Sequence, residues 1–212
     1  MTAFDDAALE AGRLLFAGPI AFERGVAKLA DLPPGDVPEV AFAGRSNVGK
    51  SSLINALTNR RALARASAEP GRTRELNYFR IGETLRLVDL PGYGYARAPK
   101  TEIARWTALM RDFLRGRAEL KRVFLLIDAR HGLKDSDLEI AASLDAAAVN
   151  HQIVLTKADK ISGPALAARI AETGAALARR PAAHPEVLAT SAETGAGIPA
   201  LRATIAALCR AV

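Results

Sequence analysis

Residues 44–52 read Gly44-Arg45-Ser46-Asn47-Val48-Gly49-Lys50-Ser51-Ser52, and they decide the fold. The first eight match G-x-x-x-x-G-K-[ST], a loop that works only between a buried strand and a helix. Both neighbours are in place: Val40–Ala43 is a short apolar run, and Lys50–Leu57 has a helical pattern. Gly44 and Gly49 let the backbone curl so that successive N–H groups point at phosphate oxygens. The positive end of the following helix strengthens the field on those oxygens. In such a loop Lys50 reaches the β- and γ-phosphates, and the Ser51 hydroxyl enters the Mg²⁺ shell.

Working outward, the same alternation repeats. Leu85–Val88, Val123–Ile127 and Ile153–Leu155 are short continuous apolar runs, as strands buried on both faces require, and Val187–Ala189 is a weaker one. Helical patterns fall at Thr101–Leu114, Asp135–Val149, Gly163–Ala178 and Ile198–Cys209. Asn77–Ile81 and Leu85–Val88 flank Gly82-Glu83-Thr84 and read as an antiparallel hairpin. The whole predicts a three-layer α/β sandwich, with a mostly parallel sheet, one antiparallel edge hairpin and helices on both faces. Residues 1–35, closed by Pro33-Pro34-Gly35, carry Phe16, Ile20, Phe22 and Leu29. These are enough to pack on the sheet but not to fold alone, so residues 1–212 are expected to form one domain with an N-terminal extension.

The ends of the other strands carry chemistry. Thr156-Lys157-Ala158-Asp159 follows the strand ending at Leu155. A carboxylate there accepts from both N1–H and the 2-amino group of guanine, whereas adenine would leave it unpaired. The Lys157 stem would lie over the base. Asp89-Leu90-Pro91-Gly92 follows Leu85–Val88 and matches D-x-x-G. Asp89 would hold Mg²⁺ through water, and the Gly92 N–H would bond the γ-phosphate and release it after hydrolysis. In Pro70-Gly71-Arg72-Thr73, Thr73 is the candidate for a second protein ligand to Mg²⁺. Thr190-Ser191-Ala192, after the weak strand, would offer a backbone N–H to guanine O6. Each short match is ordinary alone; their order along the chain is not.

Composition narrows the class. Half of the 212 residues are apolar, which excludes a disordered chain. One cysteine, Cys209, excludes an intrachain disulfide framework and suits a reducing compartment. No apolar run nears the roughly 20 residues that cross a bilayer. Asp5, Asp6 and Glu10 sit where a signal peptide would be basic, so a cytoplasmic protein without membrane contact is expected. The net charge of +6 is uneven: residues 60–131 hold 16 Lys+Arg and 8 Asp+Glu, while the remainder holds 13 and 15. Arg97, Lys100, Arg105, Arg111, Arg115, Arg117, Lys121 and Arg122 form the densest part. They read either as a solvated helix face or as a surface for the phosphate backbone of RNA. Trp106 reads as core, with a docking contact as the alternative.

Together these elements resemble the Era-like, translation-factor-related P-loop GTPases, and in detail their EngB-type (YihA/YsxC) ribosome-biogenesis branch. The similarity is carried by Gly44–Ser52, Pro70–Thr73, the run Leu87-Val88-Asp89-Leu90-Pro91-Gly92-Tyr93-Gly94-Tyr95, Asp128-Ala129-Arg130-His131-Gly132 and Leu155–Lys160, and it spans about residues 20–208. Glu69, where threonine is expected, is a small departure. The resemblance implies binding of GTP and GDP with Mg²⁺. It also implies a switch role on the precursor of the large ribosomal subunit, touching rRNA and ribosomal proteins, in a monomer needed for normal growth, cell division and septation.

Signalling GTPases place a glutamine after D-x-x-G to orient water. Here the residue is Tyr93, whose ordinary pKa near 10 makes it a poor base, so slow intrinsic hydrolysis is expected. His131 reads as a loop residue. No residue is assigned as a catalytic base; Lys50, Thr73 and Gly92 are candidate contacts to the γ-phosphate in the transition state. Related GTPases with asparagine at the position of Asn47 use it to help bind K⁺ beside the phosphates, which makes K⁺ a candidate second cation; bracing of the loop is the alternative. Two other functions stay open: a stand-alone nucleotide-hydrolysing enzyme or small-molecule kinase, and a nucleic-acid-binding module with a degenerate site. The intact Lys50, Ser51, Asp89 and Asp159 argue against the last.

Overall fold

A computed structural model describes residues 4–64, 75–93 and 111–210. Its elements run α1 (Asp6–Ala17), β1 (Ile20–Val26), β2 (Glu39–Gly44), α2 (Lys50–Thr58), β3 (Leu76–Ile81) and β4 (Leu85–Asp89). After a helical stretch at residues 111–116 (α3) come β5 (Leu120–Asp128), α4 (Asp135–Ala146), β6 (His151–Thr156), α5 (Gly163–Leu177), β7 (Leu188–Ala189) and α6 (Ile198–Arg210). The sheet order is β1-β3-β4-β2-β5-β6-β7. β4, β2, β5, β6 and β7 are mutually parallel, and β3 is antiparallel to β4.

β2 shows why the strands read as unbroken apolar runs. It lies between β4 and β5, and all six of its residues are buried. Its side chains alternate between two cores. Val40 and Phe42 face Phe16, Leu53, Leu57, Leu201 and Ile205 of α1, α2 and α6. Ala41 and Ala43 face Phe113, Leu144 and Leu177 of α3, α4 and α5. The three-layer expectation is thereby met, with Phe42 stacked on Phe124 of β5 at 5.5 Å between ring centroids.

The N-terminal segment forms more structure than its pattern suggests. β1 pairs antiparallel with β3, so the hairpin does not lie at the edge of the sheet. A bulge between Phe22 and Arg24 breaks its register, which is one way to blunt an edge strand. Phe16 is buried as expected, but Phe22 and Leu29 are exposed. Asp5 caps α1 by accepting from the Ala8 N–H at 2.7 Å. Gly12 lets α1 approach α6 closely: a Cβ there would lie 2.5 Å from the Ala203 nitrogen.

Parallel pairing sets the position of the site. Phe42 of β2 pairs with Asp89, Gly44 pairs with Leu126, and Asp128 pairs with Thr156. The phosphate loop, Asp89, Asp128 and the Thr156 loop therefore emerge from one end of the sheet, the carboxyl end at which open α/β sheets bind ligands. At the other end an ion network built on buried Arg86 and Glu39 fastens the N-terminal segment. Arg86 of β4 pairs with Glu23 and Asp36, and Arg117 pairs with Glu39. Among the described residues, no helix is long and apolar enough to cross a membrane.

Candidate nucleotide site

The loop between β2 and α2 curls at Gly49 as predicted but not at Gly44, whose missing side chain instead makes room for Val48 and Leu126. Asn47 and Gly49 both take the left-handed region, with φ of 65° and 100°. For Gly49 this costs nothing; a side chain there would be strained. The Val48 N–H closes the turn on the Arg45 carbonyl at 3.1 Å. Gly49 is the N-cap of α2 and brings no side chain to its first amides, which leaves them to an external anion. Ser51 and Ser52 fall in that first turn. The Lys50 ammonium bonds the Asp89 carboxylate, with the two side chains only 12% and 9% exposed. The lysine and the carboxylate read from separate motifs thus meet in one place.

The loop after β6 braces the phosphate loop. The Thr156 hydroxyl donates to the Val48 carbonyl at 2.7 Å. Lys157, itself left-handed with φ 56°, donates to the Asn47 carbonyl at 2.7 Å and pairs with Asp128 at 2.9 Å. Sequence reasoning assigned neither Thr156 nor Asp128 this bracing position. The signal available for Asp128 was its place at the carboxyl end of an apolar strand, the same place Asp89 occupies in β4.

The expected guanine-contacting segments lie side by side. The Ala158 N–H donates to the Thr190 carbonyl at 3.1 Å, and the Thr190 N–H to the Leu155 carbonyl at 2.7 Å. A hydrogen bond with the Ser191 side chain, then one from Lys160, holds the Asp159 carboxyl below its ordinary pKa. Lys160 also reaches Glu193 at 2.7 Å. A cleft of about 620 Å³ opens here, lined by Gly49, Ser52, Lys157, Asp159, Thr190 and Ala192 among others. That volume falls within the range of small-molecule sites.

The D-x-x-G segment runs along the other side of the phosphate loop. The Leu90 N–H donates to Phe42, the Tyr93 N–H to Gly44, and the Ser46 N–H back to the Tyr93 carbonyl at 3.1 Å. A Cβ on Gly92 would come within 3.2 Å of the Ser46 hydroxyl. Pro91 is half-buried between these contacts. The Tyr93 ring turns into the core and donates to Asp137 of α4. Burial first, then the Asp137 charge, pushes its pKa up, so the phenol is no base. His131 is an exposed loop residue. Gly71, Arg72 and Thr73 lie outside the described residues, as do Arg97, Lys100, Arg105 and Trp106.

The basic cluster needs correction at two of its members. Arg117 is spent on Glu39, through Nε at 3.0 Å and Nη2 at 2.6 Å, with its side chain 10% exposed. Arg122 donates to Asn150 and Gln152. Arg111 and Arg115 are exposed.

Comparison with known proteins agrees with this geometry. The sequence model of a family described as "50S ribosome-binding GTPase" matches residues 39–157. A "Probable GTP-binding protein EngB" of Caulobacter vibrioides is 58% identical over 206 residues, covering 97% of this chain and 90% of the relative. The protein of the same name from Bradyrhizobium diazoefficiens is 60% identical over 211 residues, covering 98% and 97%. The crystal structure of a probable GTP-binding protein engB superposes with a TM-score of 0.64 at 25% identity, over 81% of this chain and 98% of that one. From the phosphate loop to the Thr156 loop the likeness is continuous, and this chain belongs to the EngB family of GTP-binding proteins, GTPases that hydrolyse GTP to GDP and phosphate.

Proposed function

We propose that this protein is a GTP-operated switch in assembly of the large ribosomal subunit. In the GTP state it docks on the precursor particle, and hydrolysis releases it. The observation that carries this reading is the convergence of Lys50, Asp89, Lys157 and Asp159 at one end of the sheet in a chain whose family is described as 50S ribosome-binding. Exposed Arg111 and Arg115 suit the phosphate backbone of rRNA, with ribosomal proteins as further contacts. A cytoplasmic monomer, one GTP-binding domain with residues 1–35 packed on it, and a role in growth and cell division complete the proposal.

Gly44–Ser52 would cradle the phosphates, with Lys50 leaving Asp89 for their oxygens. Gly71–Thr73 and Asp89–Gly92 would form the two switches. Thr156–Asp159 and Thr190–Ala192 would enclose guanine. The donor set fits Mg²⁺: Ser51 and Thr73 hydroxyls and the Asp89 carboxylate, acting through water, are hard oxygen ligands. No group of three or more His, Cys, Asp or Glu that could hold a metal occurs among the described residues. Such a site leaves most of the shell to phosphates and water, as Mg²⁺ prefers. Bound there, the cation would neutralise charge on the phosphates. Tyr93 is committed to the core, so the chain supplies no water-orienting group at that position and intrinsic hydrolysis is slow. The test is sedimentation with ribosomal particles in a GTP analogue, in GDP and without nucleotide. Binding to large-subunit precursors should be strongest with the analogue; binding indifferent to nucleotide would refute the switch.

A further inference from the structure

Asp128 belongs to none of the segments that would touch the nucleotide, yet it holds one that does. It ends β5 and stands in register with Thr156 of β6, one residue before Lys157. Its carboxylate receives the Lys157 ammonium at 2.9 Å. Arg130 holds the same carboxylate through Nε at 2.9 Å, Nη2 at 2.7 Å and its backbone N–H at 3.1 Å. Burial alone would raise the pKa of Asp128; the bonds from Arg130 and Lys157 outweigh it and keep the carboxyl well below the ordinary range.

Lys157 needs such an anchor. Its left-handed backbone is one that L-residues enter at a cost. Its stem crosses the phosphate loop at Gly49, where a Cβ would meet Lys157 Cε at 3.6 Å. A four-carbon stem has many rotamers, and an ammonium is a point charge with no preferred plane. One bond to the Asn47 carbonyl at 2.7 Å leaves the stem free to swing. A second, charged bond from the far side fixes it.

We propose that Asp128 is a positioning residue for nucleotide binding: it clamps the Lys157 ammonium against the Asn47 carbonyl and so locks the guanine loop to the phosphate loop. This rests on the reading of Lys157 and Asp159 as the guanine-binding segment. Among the described residues Lys157 bonds Asn47 and Asp128, and neither Lys50 nor Gly92. Loss of the clamp therefore weakens GDP and GTP alike, and shows in KM more than in kcat. Arg130 grips Asp128 from the solvent side, with its own side chain 44% exposed, and makes no bond to Lys157 among the described residues.

The experiment measures dissociation of fluorescent GDP and of a fluorescent GTP analogue from the full chain and from D128A, D128N, K157M and the D128A/K157M double variant. D128A should speed release of both nucleotides about tenfold, the worth of one charge-assisted hydrogen bond, and raise KM in proportion with a much smaller change in kcat. D128N keeps an oxygen acceptor and should recover part of the loss. In the K157M background D128A should add nothing, because the lysine it positions is gone. A purely structural role would lower the thermal midpoint of the nucleotide-free protein with no dependence on Lys157. Independent, additive effects of D128A and K157M, or unchanged release from both Asp128 variants, would overturn the proposal. D159N, measured alongside for guanine against xanthine diphosphate, separates the two failures. If D159N leaves base preference untouched, the site reading fails; if it switches preference while the Asp128 variants are silent, only the clamp fails.

Discussion

The phenolic O–H of Tyr93 donates a 2.7 Å hydrogen bond to the Asp137 carboxylate, and both side chains are buried, at 4% and 1% exposure. The residue that follows D-x-x-G is thus tied to the first turn of α4. Asp137 also accepts from the Lys134 N–H at 2.9 Å, so one carboxylate caps the helix and anchors the segment that follows D-x-x-G.

Tyr93→Phe keeps the ring and removes only the donor. Asp137 is then left buried with one partner fewer, which should cost about 1.5–3 kcal/mol, the range for hydrogen bonds to charged groups. Urea unfolding of the nucleotide-free protein measures it. GTP hydrolysis at saturating substrate should stay within about twofold. A large fall in kcat at unchanged stability would place the phenol in the reaction after all.

Charge reversal separates the two kinds of arginine in the basic cluster. Arg117→Glu sets a carboxylate against buried Glu39 and should destabilise by about 3–5 kcal/mol, as breaking a buried pair does. Arg111→Glu and Arg115→Glu, both at exposed positions, should change stability by no more than about 0.5 kcal/mol. Weakened association with ribosomal particles in these two would support an RNA face. The same loss in Arg117→Glu would report unfolding, so thermal melts must accompany the binding assay.

Arg117 also shows where the sequence stops being legible. Its partner Glu39 is 78 residues away, and nothing local distinguishes it from Arg111 or Arg115. Lys157 and Asn47 lie 110 residues apart, and no spacing rule links them. The phosphate loop was readable because its physics is short-range: two glycines, a lysine and a hydroxyl between an apolar run and a helix. β1 was not. Its exposed Phe22, its bulge and the charged pair Glu23-Arg24 hide a strand that exists through pairing with β3.

His151 should make stability depend on pH. It is fully buried at the start of β6, and its Nε2 has no partner among the described residues. Burial, the largest influence, pushes its pKa down; Arg180 pushes the same way, and the Val149 carbonyl and Asp145 oppose. The unfolded chain takes up a proton near pH 6.5, which the folded one resists. Stability should therefore be flat above that pH and decline as pH falls below it. Urea midpoints between pH 8 and pH 5 test this. His151→Asn should reduce the slope and leave a residue from His184, whose pKa burial also lowers. An unchanged slope in that variant would assign the effect elsewhere.

Asn47 is exposed, in the left-handed region, with its carbonyl taken by Lys157. Among the described residues nothing holds its side chain, which leaves it for the proposed monovalent cation beside the phosphates. We expect GTP hydrolysis in K⁺ to exceed that in Na⁺ at equal ionic strength by at least about tenfold, since a cation placed there offsets developing charge as an arginine finger does. Asn47→Ala should abolish the difference. Equal rates in the two salts would leave Asn47 as a brace of the loop.

Base selectivity bears on the whole site. The Asp159 carboxylate is held charged by Ser191 and Lys160, beside the cleft that Thr190 and Ala192 also line. A fixed anion there matches the two adjacent donors of guanine and has no match on adenine. Asp159→Asn replaces half of that acceptor with a donor, which opposes guanine and suits xanthine, whose 2-position carries an oxygen. The variant should lose at least about 100-fold in affinity for GDP and gain for xanthine diphosphate, since a site that hydrogen-bonds its ligand rejects an unmatched one strongly. Equilibrium titration of both nucleotides on the wild type and the variant reads the exchange directly. If the wild type bound ATP as tightly as GTP, Asp159 could not be the selecting group, and the cleft would have to be assigned to a different part of the ligand.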